Sequence, residues 1–359
     1  MLSFLHQIRQ RVLTEKRFGK YLLYIFIEVL IVIIGILIAI EVDARNEERR
    51  GAENTKMLFK EVSDELVFNI KSIDKVIDTY LLKDSLYFKV LNHLVAYEDY
   101  KASPLLFHFP LSYDRTNLSR PLMPGSASLV NDDFNELLAR KDNLTELQDS
   151  LFSELKDLYG KRKISTDVDD KNTLDAILKV REARMRQLPW WSNYNSQVVI
   201  TDEMIQHALT DPFYLNELSE LQLREYWHAT GMLWFRTKAL NLYMDIADML
   251  QIEKDTSLVK DLDDFEHIKG FYRWEGGNVG FDIRGEDELK SSLFINDVMV
   301  SESSVYPYSN SHLIIYEQGK GDNYLAKIEI GEDGEVLGLS WFGNMREENK
   351  KKIISRKTE

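Results

Sequence analysis

Residues 21–40 read YLLYIFIEVLIVIIGILIAI. Glu28 is their only charge. As a helix at about 1.5 Å per residue, 20 residues cover about 30 Å, the hydrocarbon thickness of a bilayer. A core helix of this length would carry a polar stripe, and this one carries none. A cleaved signal peptide has a shorter apolar region, about 7–15 residues, followed by small residues. Here Glu41, Val42 and Asp43 follow. The stretch therefore reads as an uncleaved transmembrane helix.

Flanking charge gives the orientation. Arg9, Arg11, Lys16, Arg17 and Lys20 precede the span; Arg45, Arg49 and Arg50 follow it, among Glu41, Asp43, Glu47 and Glu48. Basic residues gather on the cytoplasmic side, and amphipathic aromatics such as Tyr21 and Tyr24 sit at interfaces. The expectation is a cytoplasmic segment over 1–20, a membrane helix over 21–40 and the bulk of the chain outside.

Within the span, Glu28, Gly35 and Ala39 fall on one stripe, because Gly35 and Ala39 lie about 20° to either side of Glu28 on the helical wheel. A carboxyl in hydrocarbon is costly and faces a partner, and a Gly-x-x-x-Ala pair lets two backbones approach closely. The stripe is the expected transmembrane contact, with a second copy or another membrane protein. The bilayer itself is the other expected partner.

The opening resembles a known group of sequences. Gly19-Lys20-Tyr21, then Glu28 to Ile40 ending Gly35-Ile36-Leu37-Ile38-Ala39-Ile40, then Asn46-Glu47-Glu48-Arg49, is similar to the start of an uncharacterised family of single-pass membrane proteins of Bacteroidota. Ile27 and Arg45 depart from its usual Gly and Trp. Further on, Asp211-Pro212-Phe213-Tyr214-Leu215-Asn216-Glu217-Leu218 matches a helix start of that family. The resemblance implies a Gram-negative inner membrane with a periplasmic domain, and no activity.

Beyond the span, 41–260 reads as helical. Leu58, Val62, Leu66, Ile70, Ile73, Ile77 and Leu81 recur every three or four residues, and no Pro or Gly occurs from Ala52 to Ala102. This helix is expected to continue the membrane helix as a stalk. Prolines 104, 110, 121 and 124 mark a loop-rich region. Further helices are expected over 128–159, ending at Gly160, and over 168–188. Asp211-Pro212 is a good start for another, since Asp caps and Pro suits the first turn. That one runs to about Gln251, with a kink expected at Gly231.

From residue 261 the pattern changes. Ten of the 17 glycines fall in 268–342, and alternation has period two. Six to seven short strands over 261–345 suggest a small antiparallel barrel or sandwich, with turns at Gly276-Gly277-Asn278 and Gly331-Glu332-Asp333-Gly334. Gly270-Phe271-Tyr272, Leu293-Phe294-Ile295, Val305-Tyr306-Pro307 and Val336-Leu337-Gly338-Leu339 are similar to lipocalin-like domains appended to serine beta-lactamase-like proteins. A charged tail, 346–359, follows. The fold class is thus α+β: one membrane helix, a helical bundle and a β domain.

Composition excludes several functions. The chain of 359 residues has 45 Lys+Arg against 59 Asp+Glu, net -14, which argues against nucleic acid as a partner. There are no cysteines, hence no thiolate nucleophile or thiolate metal site. Ser-x-x-Lys occurs at Ser72/Lys75, Ser153/Lys156 and Ser257/Lys260, without the companion motifs a penicillin-recognising enzyme needs. None of His6, His93, His108, His207, His228, His267 and His312 stands three or four residues from another. Asp167, Asp169 and Asp170 alternate as in a calcium loop, without its sixth-position Gly or twelfth-position Glu. No Gly-rich phosphate loop occurs. No metal or cofactor is expected.

One candidate for binding is the aromatic loop Pro189-Trp190-Trp191-Ser192-Asn193-Tyr194. Trp190, Trp191 and Tyr194 suit stacking on a sugar, a peptide or a lipid interface; the alternative is a lid over the core. Trp227, Trp234, Trp274 and Trp341 fit buried faces. The reading is a non-enzymatic, membrane-anchored binding or interaction protein. An envelope sensor acting through a membrane partner and an unrecognised hydrolase are the alternatives.

Overall fold

The computed structural model describes residues 18–94, 96–98, 127, 129–140, 144–189, 201–260, 262–273, 279–286, 288–316, 323–341 and 356–358. It is a mixed fold of long helices and one antiparallel sheet.

Helix α1, Phe18–Leu91, runs unbroken for 74 residues. Its first part is long and apolar enough to cross a membrane, and none of that window is buried. Every described side chain from Leu23 to Glu53 is exposed; burial begins at Thr55. From there Leu58, Val62, Leu66, Ile70, Ile73 and Ile77 are buried, as their spacing requires of one helix face.

Helices α2, Asp132–Arg140, and α3, Glu146–Asp157, stand where one helix was expected over 128–159. The break has a chemical cause. Gln148 N–H donates to Thr145 Oγ1 at 3.3 Å and Thr145 N–H donates to Gln148 Oε1 at 3.0 Å, a capping box that starts a new helix. Gly160 does not end this helix. The chain passes through a π-helical stretch, Leu158–Lys163, straight into α4, Ile164–Gln187. Tyr159 is buried there, stacked on Phe134 with ring centroids 4.8 Å apart. Asn69 fixes the entry to α2, since its amide exchanges two 2.9 Å hydrogen bonds with the Val130 backbone.

Helix α5 is Asp202–Thr210, and α6 is Pro212–Leu250. Asp211 caps α6, accepting from Tyr214 N–H at 2.7 Å, and Gln251 ends it in the left-handed conformation. Gly231 causes no break: α6 continues through it, and a Cβ there would lie 3.7 Å from Asp169 Oδ2 of α4. Helices α1 and α6 run antiparallel, with Tyr80 meeting His228 and Asp74 meeting Arg236.

After two short 3-10 segments, Thr256–Leu258 and Leu262–Ile268, the sheet begins. Its strands are β1 Gly270–Arg273, β2 Val279–Arg284, β3 Leu289–Ile295, β4 Val298–Ser309, β5 His312–Tyr316, β6 Asn323–Ile330, β7 Val336–Trp341 and β8 Arg356–Thr358. β1 to β7 form a meander, each paired antiparallel with the next. β8 pairs with β1 and lies beside β7, so the sheet nearly closes as a barrel. The turn at Gly331–Gly334 is present; 274–278 lies outside the described residues.

Two apolar interiors meet in the sheet. Inward-facing Tyr272, Phe281, Ile283, Leu289, Val305 and Leu313 fill the barrel. Tyr308, Ile314 and Leu325 face outward and join the bundle's core, with α1 and α6. This explains why both faces of β5 and β6 are apolar where they touch α6.

Candidate functional site

The barrel's two ends differ. At one end the segment Leu262–Ile268 folds in, burying Phe265 and Ile268 among the barrel side chains. Tyr272 holds it by donating to the Ile268 carbonyl. The other end carries Val279, Ile295 and Val298, partners in register across β2, β3 and β4. Alternation places them on the inward side, in line with Phe281 and Leu293. Ile295 is 43% exposed and Val298 64%. Among the described residues this end is apolar; 274–278, 317–322 and 342–355 lie outside them. Deeper in the inward row, Ser291 is buried, and its hydroxyl has no hydrogen-bond partner among the described residues.

A polar seam joins barrel to bundle. The Arg236 guanidinium, nearly all buried, grips Asp74 of α1 with Nε–Oδ1 2.5 Å and Nη2–Oδ2 3.2 Å. It also lies 5.2 Å from the centroid of the Tyr308 ring. The Tyr308 hydroxyl donates toward Asp78 Oδ1 at 3.0 Å and the Asp74 carbonyl at 3.1 Å. Burial first, then Asp74 and Asp78, push that phenol's pKa far up. Asn241 of α6 donates to Tyr306 at 3.3 Å.

Beside the seam, His312 Nδ1 lies 3.1 Å from Ser309 Oγ and 3.0 Å from Ser311 Oγ. Burial, with Lys327 adding, pulls its pKa down to about 4, so the imidazole is neutral near pH 7. A serine beside a neutral imidazole is half of a nucleophile pair. Here the two hydroxyls share one ring nitrogen within a tight turn. The nearest carboxylates are engaged elsewhere: Asp78 with Tyr308, Glu329 with Ser340 and Lys327. The arrangement is a hydrogen-bonded turn.

A third cluster lies within the bundle. Tyr80 OH and His228 Nδ1 are 2.9 Å apart, and His228 Nε2 stands 3.9 Å from Asp170 Oδ1. Gln222 and Glu225 are buried on the same helix as His228. Burial, then Glu225 and Asp170, raise the Tyr80 pKa well above its ordinary value. Tyr80 and His228 are each 1% exposed, and the cluster ties α1, α4 and α6 together.

The residues singled out in the sequence are distributed differently. Trp190, Trp191 and Tyr194 lie outside the described residues, as does Trp274. Trp234 is buried under the Arg162 guanidinium, 3.9 Å from its ring. Trp227 is not buried: it is 59% exposed, on the outer side of α6, against the Tyr226 ring edge. Glu28, Gly35 and Ala39 are all exposed on α1. Asp167, Asp169 and Asp170 lie inside α4, whose regular helix cannot wrap a cation as a loop does. Among the described residues no group of three His, Asp or Glu side chains could hold a metal ion.

No family model, curated protein or solved structure matches the chain.

Proposed function

We propose that the chain is a non-enzymatic, membrane-anchored binding or interaction protein of the inner membrane, with a cytoplasmic amino terminus and a periplasmic domain. The observation that carries this reading is the continuity of α1. One unbroken helix holds both a fully exposed apolar segment and a buried face of the domain's core. Exposing about 20 apolar side chains to water is untenable for a soluble helix and natural for one in lipid. The five basic residues before the span and the resemblance of its opening both support the orientation.

The domain's part is binding, and the exposed apolar side chains Ile295 and Val298 at one end of the barrel support that role. A reporter active only outside the cytoplasm, fused after Glu359, tests the orientation and is expected to be active. Activity only of a cytoplasmic reporter would overturn it.

A second reading, an envelope sensor working through a membrane partner, is favoured by the polar seam. Tyr308 links the barrel directly to the helix that leads to the apolar segment.

A further inference from the structure

The β3–β4 hairpin carries exposed apolar side chains. Ile295, Val298, Met299 and Val300 are 43, 64, 56 and 49% exposed. They flank the turn Asn296-Asp297, where both residues take positive φ. The turn's one charge, Asp297, is paired with Arg273, so the tip is near neutral.

The direction of β4 says what lies below this tip. Tyr308 meets α1 at Asp74 and Asp78. Tyr306 meets Asn241. Because α6 is antiparallel to α1 and Arg236 stands opposite Asp74, Asn241 is level with about Asn69. From Tyr308 to Tyr306 the strand therefore moves toward the apolar segment. Eight further residues to Val298 cover about 26 Å at about 3.3 Å each. Along α1, Asn69 to Ile40 is about 43 Å. With β4 fully extended along α1 the apolar tip ends about 17 Å from the level of Ile40, and the headgroup layer fills about 5–8 Å of that distance. Tilting α1 by about 40°, near the upper end of the range for spanning helices, turns about 17 Å along its axis into about 13 Å and brings a point about 12 Å off the axis about 8 Å lower. Exposed residues 41–53 make no buried contact that would hold α1 upright.

We propose that the β3–β4 hairpin docks on the surface of the bilayer into which α1 inserts, giving the domain a second, reversible membrane contact. This rests on the membrane-anchored reading above. Lipid suits the tip because its chemistry is apolar, neutral and carried on a projecting turn, and because the hairpin hangs on the side of the apolar segment.

The absence of native cysteines permits a clean test on the full chain. Leu37→Cys, Val298→Cys and Asp333→Cys each carry an environment-sensitive fluorophore. Each variant is placed in phosphatidylcholine–phosphatidylglycerol vesicles containing a headgroup-proximal nitroxide lipid. Asp333 lies in the β6–β7 turn, at the plugged end of the barrel. The expected result is strong quenching at 37, loss of about half the emission at 298, and none at 333. Adding Met299→Asp and Val300→Asp should return the 298 probe to the level of the 333 probe. Quenching at 37 with 298 behaving like 333 overturns the docking and leaves the anchor standing. A 298 signal unmoved by the two Asp substitutions also overturns it. No quenching at 37 overturns the anchored reading and the docking with it.

Discussion

The Tyr308 hydroxyl, on strand β4, stands 3.0 Å from Asp78 Oδ1, on the helix that carries the apolar segment. The same hydroxyl reaches the Asp74 carbonyl, while the Asp74 carboxylate is held by buried Arg236. Barrel, α1 and α6 are thus joined by one hydrogen-bond network, with Asp74 bound by both Arg236 and Tyr308.

Breaking that network should loosen the seam selectively. Tyr308→Phe keeps the ring under Arg236 and removes its hydrogen bonds to α1, at an expected cost of about 2 kcal/mol. Arg236→Met strands the Asp74 carboxylate and should cost more, about 3 kcal/mol. Urea unfolding measures both. The double variant should lose less than the sum, since both act on one network. Full additivity would show that the two contacts are independent.

The neutral His312 makes stability depend on pH with a definite sign. Its folded pKa, about 4, lies below the ordinary value of 6.5. Between these values the unfolded chain binds the extra proton, so stability is full above about pH 6.5 and falls as pH drops toward 4. The largest loss is about 3 kcal/mol. Burial raises the carboxyls of Glu65, Asp133, Asp169 and Asp245, which act in the opposite sense as pH falls. The difference between wild type and His312→Asn isolates the histidine. Midpoints of thermal unfolding from pH 4 to 7 should fall less steeply in the variant; parallel curves would remove His312 as the cause.

Much of this architecture could be read from residue spacing, because periodicity reports which face is buried. Leu58 to Ile77 on α1, the Asp211-Pro212 start of α6 and the alternating strands were all legible this way. The expected helix over 128–159 failed because apolar spacing runs across Thr145 and Gln148, whose capping box breaks it. Gly160 read as a stop, yet nothing lies within 4 Å of where its Cβ would be, and the chain stays helical. Trp227 read as core because hydrophobicity alone does not tell which side of a 39-residue helix faces water. The seam was illegible: Asp74 and Arg236 are 162 residues apart, and Asp78 and Tyr308 are 230 apart. Only tertiary packing brings them together.

The same packing decides how the β segment behaves alone. Its own core includes Tyr272, Phe281, Ile283 and Leu313, enough for a fragment from residue 261 to 359 to fold. Freed from the bundle, however, Ile314 and Leu325 would face water, an apolar patch of the kind that drives association. The fragment should show a β-type circular dichroism spectrum and self-associate in sedimentation. Ile314→Lys with Leu325→Glu should return it to monomer. A disordered fragment would mean that the sheet depends on the bundle for folding.

Removing the apolar segment should leave the folded part intact, since no described side chain before Thr55 is buried. A chain lacking residues 1–40 is expected in the soluble fraction after ultracentrifugation, with an unfolding midpoint in urea within about 0.5 kcal/mol of the full chain's stability. Persistence in the membrane pellet would mean that the β3–β4 hairpin or another part of the domain holds it on lipid without the anchor, rather than docking reversibly.

Within the apolar segment of α1, Glu28, Gly35 and Ala39 share one stripe and are exposed. No side chain of the chain itself packs on Gly35, where an added Cβ would meet nothing within 4 Å. In the membrane-anchored reading, a carboxyl at that depth costs about 2.5–3.5 kcal/mol on insertion scales, a cost relieved when it hydrogen-bonds within a helix contact. The small pair Gly35 and Ala39 permits the close approach such a bond needs. Snorkelling is the alternative for Glu28, but about 10 Å separates it from the inner edge of the span, long for a glutamate. Residues 15–50 in a membrane two-hybrid assay should therefore self-associate, or associate with a membrane partner supplied in the same assay. Glu28→Leu removes the hydrogen bond and Gly35→Ile blocks the approach, so each should weaken the signal. If both variants associate as well as wild type, the stripe is not the contact surface, and the helix serves as an anchor alone.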